Sequence, residues 1–300
     1  MAKYVIEDTT LNNTANAIRE KTGKTDKITP SNFATEISSI ESGSKVTKGI
    51  VINECDENGY ATDVSIVGMT NIPNYYIGTD YTNKRSALCQ NLKKIELPEE
   101  ISTIGNYAFA NCENLTMTKL PNGITVIYAS AFSSCSNLAL TELPSGLTRI
   151  LGTSFNNCKN LALMELPSGL TEIGEKAFYN CEKMTISEIP SGITKIGAGT
   201  FYGCLNLSKI ICQGAITEIA GTSWQGAFAA CSNLVTFALP NVIAVPTLGH
   251  ATYIFNSTPI GNGTGYIYVP DVLVDSFKSA TNWSTYADQI KPISELEVSS

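Results

Sequence analysis

Nine cysteines and a single histidine, His250, are the residues of this 300-residue chain with the widest chemical repertoire. Metal centres need ligands in close groups. No C-x-x-C pair occurs, and one histidine cannot complete a multi-histidine site or a histidine-dependent triad. Seven cysteines instead recur in phase: Cys89, Cys112, Cys135, Cys158, Cys181 and Cys204 stand 23 residues apart, and Cys231 follows after a four-residue insertion. A thiol repeated at a fixed interval marks a packing position. The spacing therefore predicts a free, buried ladder whose parallel Cβ vectors oppose systematic disulfides. Cys55 and Cys212 lie outside that column and take no role from it, and His250 reads as a surface-loop residue.

Carboxylates offer a second chemistry. Glu142, Glu165 and Glu188 recur at the same interval, and paired carboxylates can hydrolyse glycosides when different surroundings split their pKa values. A regular row gives every member the same surroundings, so solvation is the expected role. Glu54-x-Asp56-x-Asn58-Gly59 resembles half a calcium loop, but Ser65 stands where a bidentate glutamate is required. Asn58-Gly59 suits a hairpin turn better. Gly261-Asn262-Gly263-Thr264-Gly265 lacks the Lys-Ser/Thr of a phosphate loop and precedes a strand, which makes it a turn. No catalytic residue, metal ligand or cofactor is assigned, and the chain reads as a non-enzyme.

The bulk properties narrow the partners. Asp and Glu outnumber Lys and Arg by 27 to 20, a formal charge of −7, which opposes the phosphate neutralisation that nucleic-acid binding needs. No apolar run reaches the ~18 residues of a spanning helix. Met1 to Thr10 lacks signal-peptide character, and Glu295 to Ser300 shows no anchor or sorting motif. The expectation is no nucleic acid and no membrane insertion, with a cytoplasmic location if no export route or virion applies. The partner left is a protein or a glycan, and the oligomeric state is open.

The elements that position these residues follow from the period. In the cysteine register run Leu97, Leu120, Leu143, Leu166 and Ile189, each followed by proline: Pro98, Pro121, Pro144, Pro167 and Pro190. Further columns are Ile104, Ile127, Ile150, Ile173, Ile196 and Ile219, and Phe109, Phe132, Phe155, Phe178, Phe201, Phe228 and Phe255. A 23-residue unit cannot enclose a core alone, so its apolar columns must be buried against those of its neighbours. The fold class is a repeat solenoid of short parallel β-strands and turns, about eight units counted from Ile72-Pro73 to the irregular unit at Leu239-Pro240 and ~40 Å long by strand spacing. In a segment such as Leu147-Thr148-Arg149-Ile150, alternation places Thr148 and Ile150 inward and Arg149 outward. The outward column Thr103, Val126, Arg149, Glu172, Lys195, Glu218 then alternates in sign over four adjacent rungs.

Open solenoid ends need caps. Residues 45–71 read as a β-hairpin cap, with Lys48 to Ile52 and Asp63 to Val67 as its strands, and 72–265 as the solenoid. Residues 1–44 read as a small helical module, its helices over about 8–41 starting at Thr9 or Thr10 and at Thr29-Pro30. Residues 266–300 read as a C-terminal cap and tail. There, Tyr266 to Pro270 forms a strand, Asp271 caps a helix bearing Leu273, Val274 and Phe277, and Trp283, Tyr286 and Ile290 complete the cap.

The unit's Leu-Pro, Thr-x-Ile-Gly, Ala-Phe and Cys-x-Asn-Leu blocks resemble the BspA-like leucine-rich repeats of bacterial surface proteins, over about residues 72–290. Tyr268-Val269-Pro270 with Ala280-Thr281-Asn282-Trp283 resembles that family's C-terminal cap. The resemblance implies a leucine-rich-repeat fold and an adhesin or binding protein at the cell surface, often exported, although this chain shows no visible signal. Separately, Ala17 to Lys24 followed by Ile28-Thr29-Pro30 resembles a short segment of prophage tail-associated proteins of Gram-positive bacteria, which would place the chain on a virion.

For binding, the sequence singles out Tyr75, Tyr76 and Tyr81 in the first unit, Tyr179 and Tyr202 after the core phenylalanines, and the outward charges Arg149, Glu172, Lys195 and Glu218. Tyrosines also pack ordinary cores and caps. The leading reading is a recognition scaffold, with a prophage host-recognition component as its specific form. A cell-surface adhesin is the alternative, and a glycan-acting enzyme on a repeat scaffold the remote one.

Overall fold

The computed structural model describes residues 4–7, 49–56, 61–74, 76–77 and 87–296. The helical pair expected over 8–41, the turn at Asn58-Gly59, Tyr75 and Tyr81 lie outside the described residues.

Each unit contributes one rung with three edges. On the first edge the Thr-x-Ile segments form two-residue strands that pair in parallel. These are β4 (Asn71–Ile72), β6 (Thr103–Ile104), β7 (Val126–Ile127), β8 (Arg149–Ile150) and β9 (Glu172–Ile173), in that order. Every isoleucine of this set is buried, and the outward residue is partly or fully exposed. Ile72 pairs with Ile104, so it belongs to the isoleucine column and not to the Leu-Pro column from which the sequence count began. The strand is also shorter than alternation implied. Thr148 is exposed, not inward, and its hydroxyl donates to the Thr125 carbonyl of the previous rung at 3.1 Å. Thr125, Thr171 and Thr217 do the same to Ser102, Thr148 and Thr194. The column is threonine because a β-branched hydroxyl there both favours the strand and closes the previous rung's carbonyl.

The ladder then stops. β11 (Lys195–Ile196) pairs not with β9 but forward, with β13 (Glu218–Ile219), which in turn pairs with β15 (Thr247–Leu248). The sign alternation expected over four adjacent rungs is therefore two separate couples.

On the second edge the segments before the Leu-Pro position pair only at the two ends of the array. At the start, β1 (Tyr4–Glu7), β2 (Gly49–Cys55) and β3 (Ala61–Val67) form an antiparallel sheet, and β3 adds β5 (Lys94–Glu96) in parallel. Asn53 bonds Asp63 and Ser65 across that hairpin. Toward the end, β10 (Glu188–Ile189), β12 (Lys209–Cys212), β14 (Thr236–Ala238), β16 (Tyr266–Val269) and β17 (Ile290–Pro292) form one parallel sheet. The Gln213 N–H donates to the Ile189 carbonyl at 2.9 Å. In the preceding units proline holds that position, and proline has no N–H to give. Thr118 to Leu120, Thr141 to Leu143 and Met164 to Leu166 also donate no inter-rung backbone bond. Cys212 is the next member of the Leu-Ile column, 23 residues after Ile189 and fully buried, which assigns it the packing role the sequence had left open.

The third edge carries the core. Phenylalanine rings from Phe109 to Phe255 stack with centroids 5.1–5.8 Å apart and interplanar angles of 1–15°. Ile77 heads the column: its N–H bonds Ala108 as that of Phe109 bonds Ala131. Around each ring the backbone swings into the left-handed region two residues before and after, at Tyr107 and Asn111, Ser130 and Ser134, Thr153 and Asn157, Lys176 and Asn180. That conformation aims alternate N–H groups at the next rung, as in Tyr107 to Ala129 and Asn111 to Ser133. Its cost, about 1–2 kcal/mol for a residue with a Cβ, is offset by bonds made on every rung. The cysteines serve the same ladder. Cys135, Cys158, Cys181, Cys204 and Cys231 donate Sγ–H at 3.0–3.2 Å to the carbonyl of a phenylalanine one unit back. A thiol there fills an apolar slot and still supplies a donor.

At the C-terminal end Trp283 is buried and its indole N–H donates to the Pro246 carbonyl at 2.7 Å, while the Tyr286 hydroxyl bonds the Ala251 carbonyl. Asp271 does not cap the helix. Its carboxylate accepts the Ser294 N–H, and the helix itself, α3 after the short α1 (Ala87–Asn91) and α2 (Ala251–Ile254), runs Val274–Ser279. No helix among the described residues is long and apolar enough to cross a membrane.

Candidate functional site

The structure distributes the sequence-derived site residues over two edges. Arg149 Nε lies 2.7 Å from Glu172 Oε2, and Lys195 Nζ 3.0 Å from Glu218 Oε2. Both are half-exposed pairs on the strand edge, each worth no more than ~1 kcal/mol. No ion pair among the described residues joins Glu172 to Lys195. A third pair, Lys159 with Glu182 at 3.0 Å, sits one residue after the cysteine column and was not anticipated. Tyr179 and Tyr202 stack on the third edge, the turn edge that follows each core phenylalanine, with centroids 4.5 Å apart and planes 2° from parallel. Burial, then the neighbouring Tyr202, raises the Tyr179 hydroxyl above the ordinary tyrosine range. Tyr76 is half-buried against the core.

The four-residue insertion before Phe228 carries a residue that sequence reasoning passed over. Gly221 and Gly226 close a tight antiparallel bridge, and Trp224 at its tip is 80% exposed. The mount is rigid. A Cβ on Gly226 would stand 1.7 Å from the Tyr253 carbonyl oxygen, so the bridge is packed directly against the next rung. Tyr253 lies 6.4 Å from the Trp224 ring and 4.8 Å from that of His250, which is exposed. The signal was available: an insertion in an otherwise strict period, with one of only two tryptophans in the chain inside it.

A groove opens on the second edge, where the ladder is missing. Its volume is about 430 Å³, and it runs across three rungs between Leu120 and Ser168, with Glu142 and Glu165 on its rim. Both glutamates are exposed and repeat-phased. Among the described residues no group of three or more His, Cys, Asp or Glu side chains could hold a metal ion.

Residues 86–162 and 138–258 match the BspA type leucine-rich repeat region, in six copies. Among solved structures, a leucine-rich repeat protein of Treponema pallidum is 23% identical, with 72% of this chain and 87% of that one covered, at a TM-score of 0.47. A leucine-rich cell surface protein of Faecalibacterium prausnitzii is 20% identical over 71% of this chain and 70% of its own, at 0.42. A leucine-rich repeat protein of Bacteroides ovatus is 18% identical over 76% and 71%, at 0.41. No curated protein matches. With the repeat matched over more than half of its length, the chain belongs to the BspA-type leucine-rich repeat family.

Proposed function

We propose that the chain is a non-catalytic recognition scaffold that binds a protein or a glycan through side chains held on its turn and strand edges. Trp224 carries this reading. The phenylalanines from Phe109 to Phe277 and the other tryptophan, Trp283, are buried, whereas this indole stands 80% exposed on a glycine-closed bridge locked to the next rung. Leaving an indole in water forgoes about 2–3 kcal/mol of burial, and tryptophan is enriched among the residues that dominate binding energy at interfaces. Tyr253, His250 and the Tyr179–Tyr202 stack extend the aromatic surface of the turn edge, and the Arg149–Glu172 and Lys195–Glu218 couples supply polar contacts on the strand edge.

The resemblance of residues 17–30 to prophage tail-associated proteins supports a virion-borne, host-recognition form of this scaffold. A cell-surface adhesin is the alternative form, and neighbouring genes separate the two: tail and lysis genes for the first, cell-wall enzymes for the second. The test of recognition itself is binding of the purified chain to a glycan array and to intact Gram-positive cells, with Trp224→Ala and a chain starting at Lys45 in parallel. Trp224→Ala is expected to weaken binding by about thirtyfold, the size of an interface hot spot, with the shortened chain unaffected. A folded Trp224→Ala protein that binds as well as the parent would remove this reading.

A further inference from the structure

The two rungs nearest the C-terminal cap depart from the period at the same corner. The core phenylalanine stands five positions after the strand isoleucine in each unit from Ile104 to Ile196, but Phe228 stands nine after Ile219 and Phe255 seven after Leu248. In a repeat array such insertions map to loops on one face, often the binding face. Here they touch. Trp224 comes from the first insertion, and His250 and Tyr253 from the second, with the Tyr253 ring 6.4 Å from the indole and 4.8 Å from the imidazole. Backbone contacts lock the two together: the His250 N–H donates to the Gly221 carbonyl at 3.4 Å, and a Cβ on Gly249 would stand 2.3 Å from the Gly221 nitrogen. The tip is closed by the Thr222 N–H, which donates to the Gln225 carbonyl at 3.2 Å. The three rings are therefore held as a set, on a mount built from two rungs.

The chemistry of this corner is narrow. Between Glu218 and Asp271 the sequence holds no Asp, Glu, Lys or Arg, although the whole chain has 27 acidic and 20 basic residues. Beside the rings, the exposed side chains of the two insertions are the hydroxyls of Thr222, Ser223 and Thr252, with the half-buried amide of Gln225 next to the indole. No aliphatic side chain is exposed there, since Ala251 is buried. Protein interfaces surround their aromatic anchors with an apolar core enriched in Met and Arg, and this corner has neither. A sugar ring needs what is present. One of its faces offers slightly positive C–H groups to the negative face of an indole or phenol, and its hydroxyls donate and accept in turn with hydroxyl and amide side chains. We propose that the corner of Trp224, Tyr253 and His250 binds a neutral glycan, an inference that rests on the recognition scaffold above and names its ligand class. The net charge of −7 repels anionic glycans and so favours uncharged ones. The stacked Tyr179 and Tyr202 stand on the two preceding rungs of the same edge, in line for further units of a linear glycan running along the stack.

The test is isothermal titration of the whole chain with four neutral probes, maltohexaose, cellohexaose, mannohexaose and hexa-N-acetylchitohexaose, and with hexagalacturonate as the anionic comparison. At least one neutral probe should bind and hexagalacturonate should not. Trp224→Ala should weaken that binding about thirtyfold and Tyr253→Ala about fivefold, as expected for a hot spot and its neighbour. Trp224→Tyr should retain most of it, and Tyr266→Ala, which removes an exposed ring from the second edge, should leave it unchanged. Because Trp283 is buried, a blue shift of indole emission on binding reports Trp224 itself. Failure of all four neutral probes, or equal binding by a folded Trp224→Ala protein, would overturn the proposal. A parallel arm on intact Gram-positive cells separates this failure from that of the scaffold reading. Periodate, which cleaves sugar diols, should abolish Trp224-dependent attachment to the cells, and proteinase K treatment of the cells should spare it. The opposite pattern would identify a protein ligand, leaving the recognition scaffold standing and removing the glycan.

Discussion

The rungs from Leu120 to Leu166 and those from Glu188 onward use the same columns, yet only the later ones pair on both strand edges. Leu143 and Leu166 occupy the position of Ile189 and Cys212, and all are buried. What differs is where the proline column ends: Ile189 is still followed by Pro190, but Cys212 is followed by Gln213. Pro144 and Pro167 cannot donate to the rung before, whereas Gln213 does. Strand propensity reinforces the difference, since Ile210-Ile211 and Tyr266-Ile267-Tyr268-Val269 favour extended pairing more than Thr141-Glu142 or Met164-Glu165. The stacked rings, the turn-edge bonds and the thiol-to-carbonyl bonds continue through both regions. They are enough to hold the earlier rungs, which frees one of their edges.

The sharpest way to break the comparison is to remove a ring from the region with one ladder. Phe155 is stacked at 5.5 and 5.6 Å between two others. Phe155→Ala should cost ~3–5 kcal/mol in urea denaturation, and Phe228→Ala, flanked by both ladders and by Phe237, should give a smaller loss. Equal losses would mean that the second ladder contributes nothing.

Swapping the residue that follows tests the cause directly. Gln213→Pro should cost ~2 kcal/mol, because it orphans the Ile189 carbonyl. Pro167→Gln should add up to ~1 kcal/mol and slow amide exchange at residues 164–168. A Pro167→Gln protein with unchanged exchange there would show that the missing N–H is not what opens the edge.

Alkaline pH applies a milder load to both regions. Burial pushes the Cys231 thiol up to about 12 and raises those of Cys135, Cys181 and Cys204 well above the ordinary range. Unfolded thiols ionise near ~8.5, so the folded chain holds these protons more tightly. The contribution to stability is complete below that pH and is lost as pH rises toward the folded values, by up to ~1.4 kcal/mol per pH unit for each thiol. Iodoacetamide labelling between pH 9 and 11 should reach Cys135 and Cys158 before Cys212 and Cys231. The reverse order would place the weaker region at the C-terminal end.

Much of this architecture is legible in the spacing of residues. The cysteine, isoleucine and phenylalanine columns identify the unit, and the proline column marks the positions that have no N–H to donate, because that is a property of the residue itself. Cys212 was equally readable as the member after Ile189. Thr148 misled because period-2 alternation assumes a strand longer than two residues. Trp224 was passed over because an insertion looks like noise against a strict period.

What the chain determined by itself is which side chains recur and therefore which must stack, since a 23-residue unit has no other way to bury its leucines and phenylalanines. What only the tertiary structure decided is where the rungs part. The strand-edge ladder stops between Glu172 and Lys195, where the rings of Phe178 and Phe201 are 5.8 Å apart, the widest step in the stack. Rung separation is a compromise among three edges with different preferred spacings, and no single column records it.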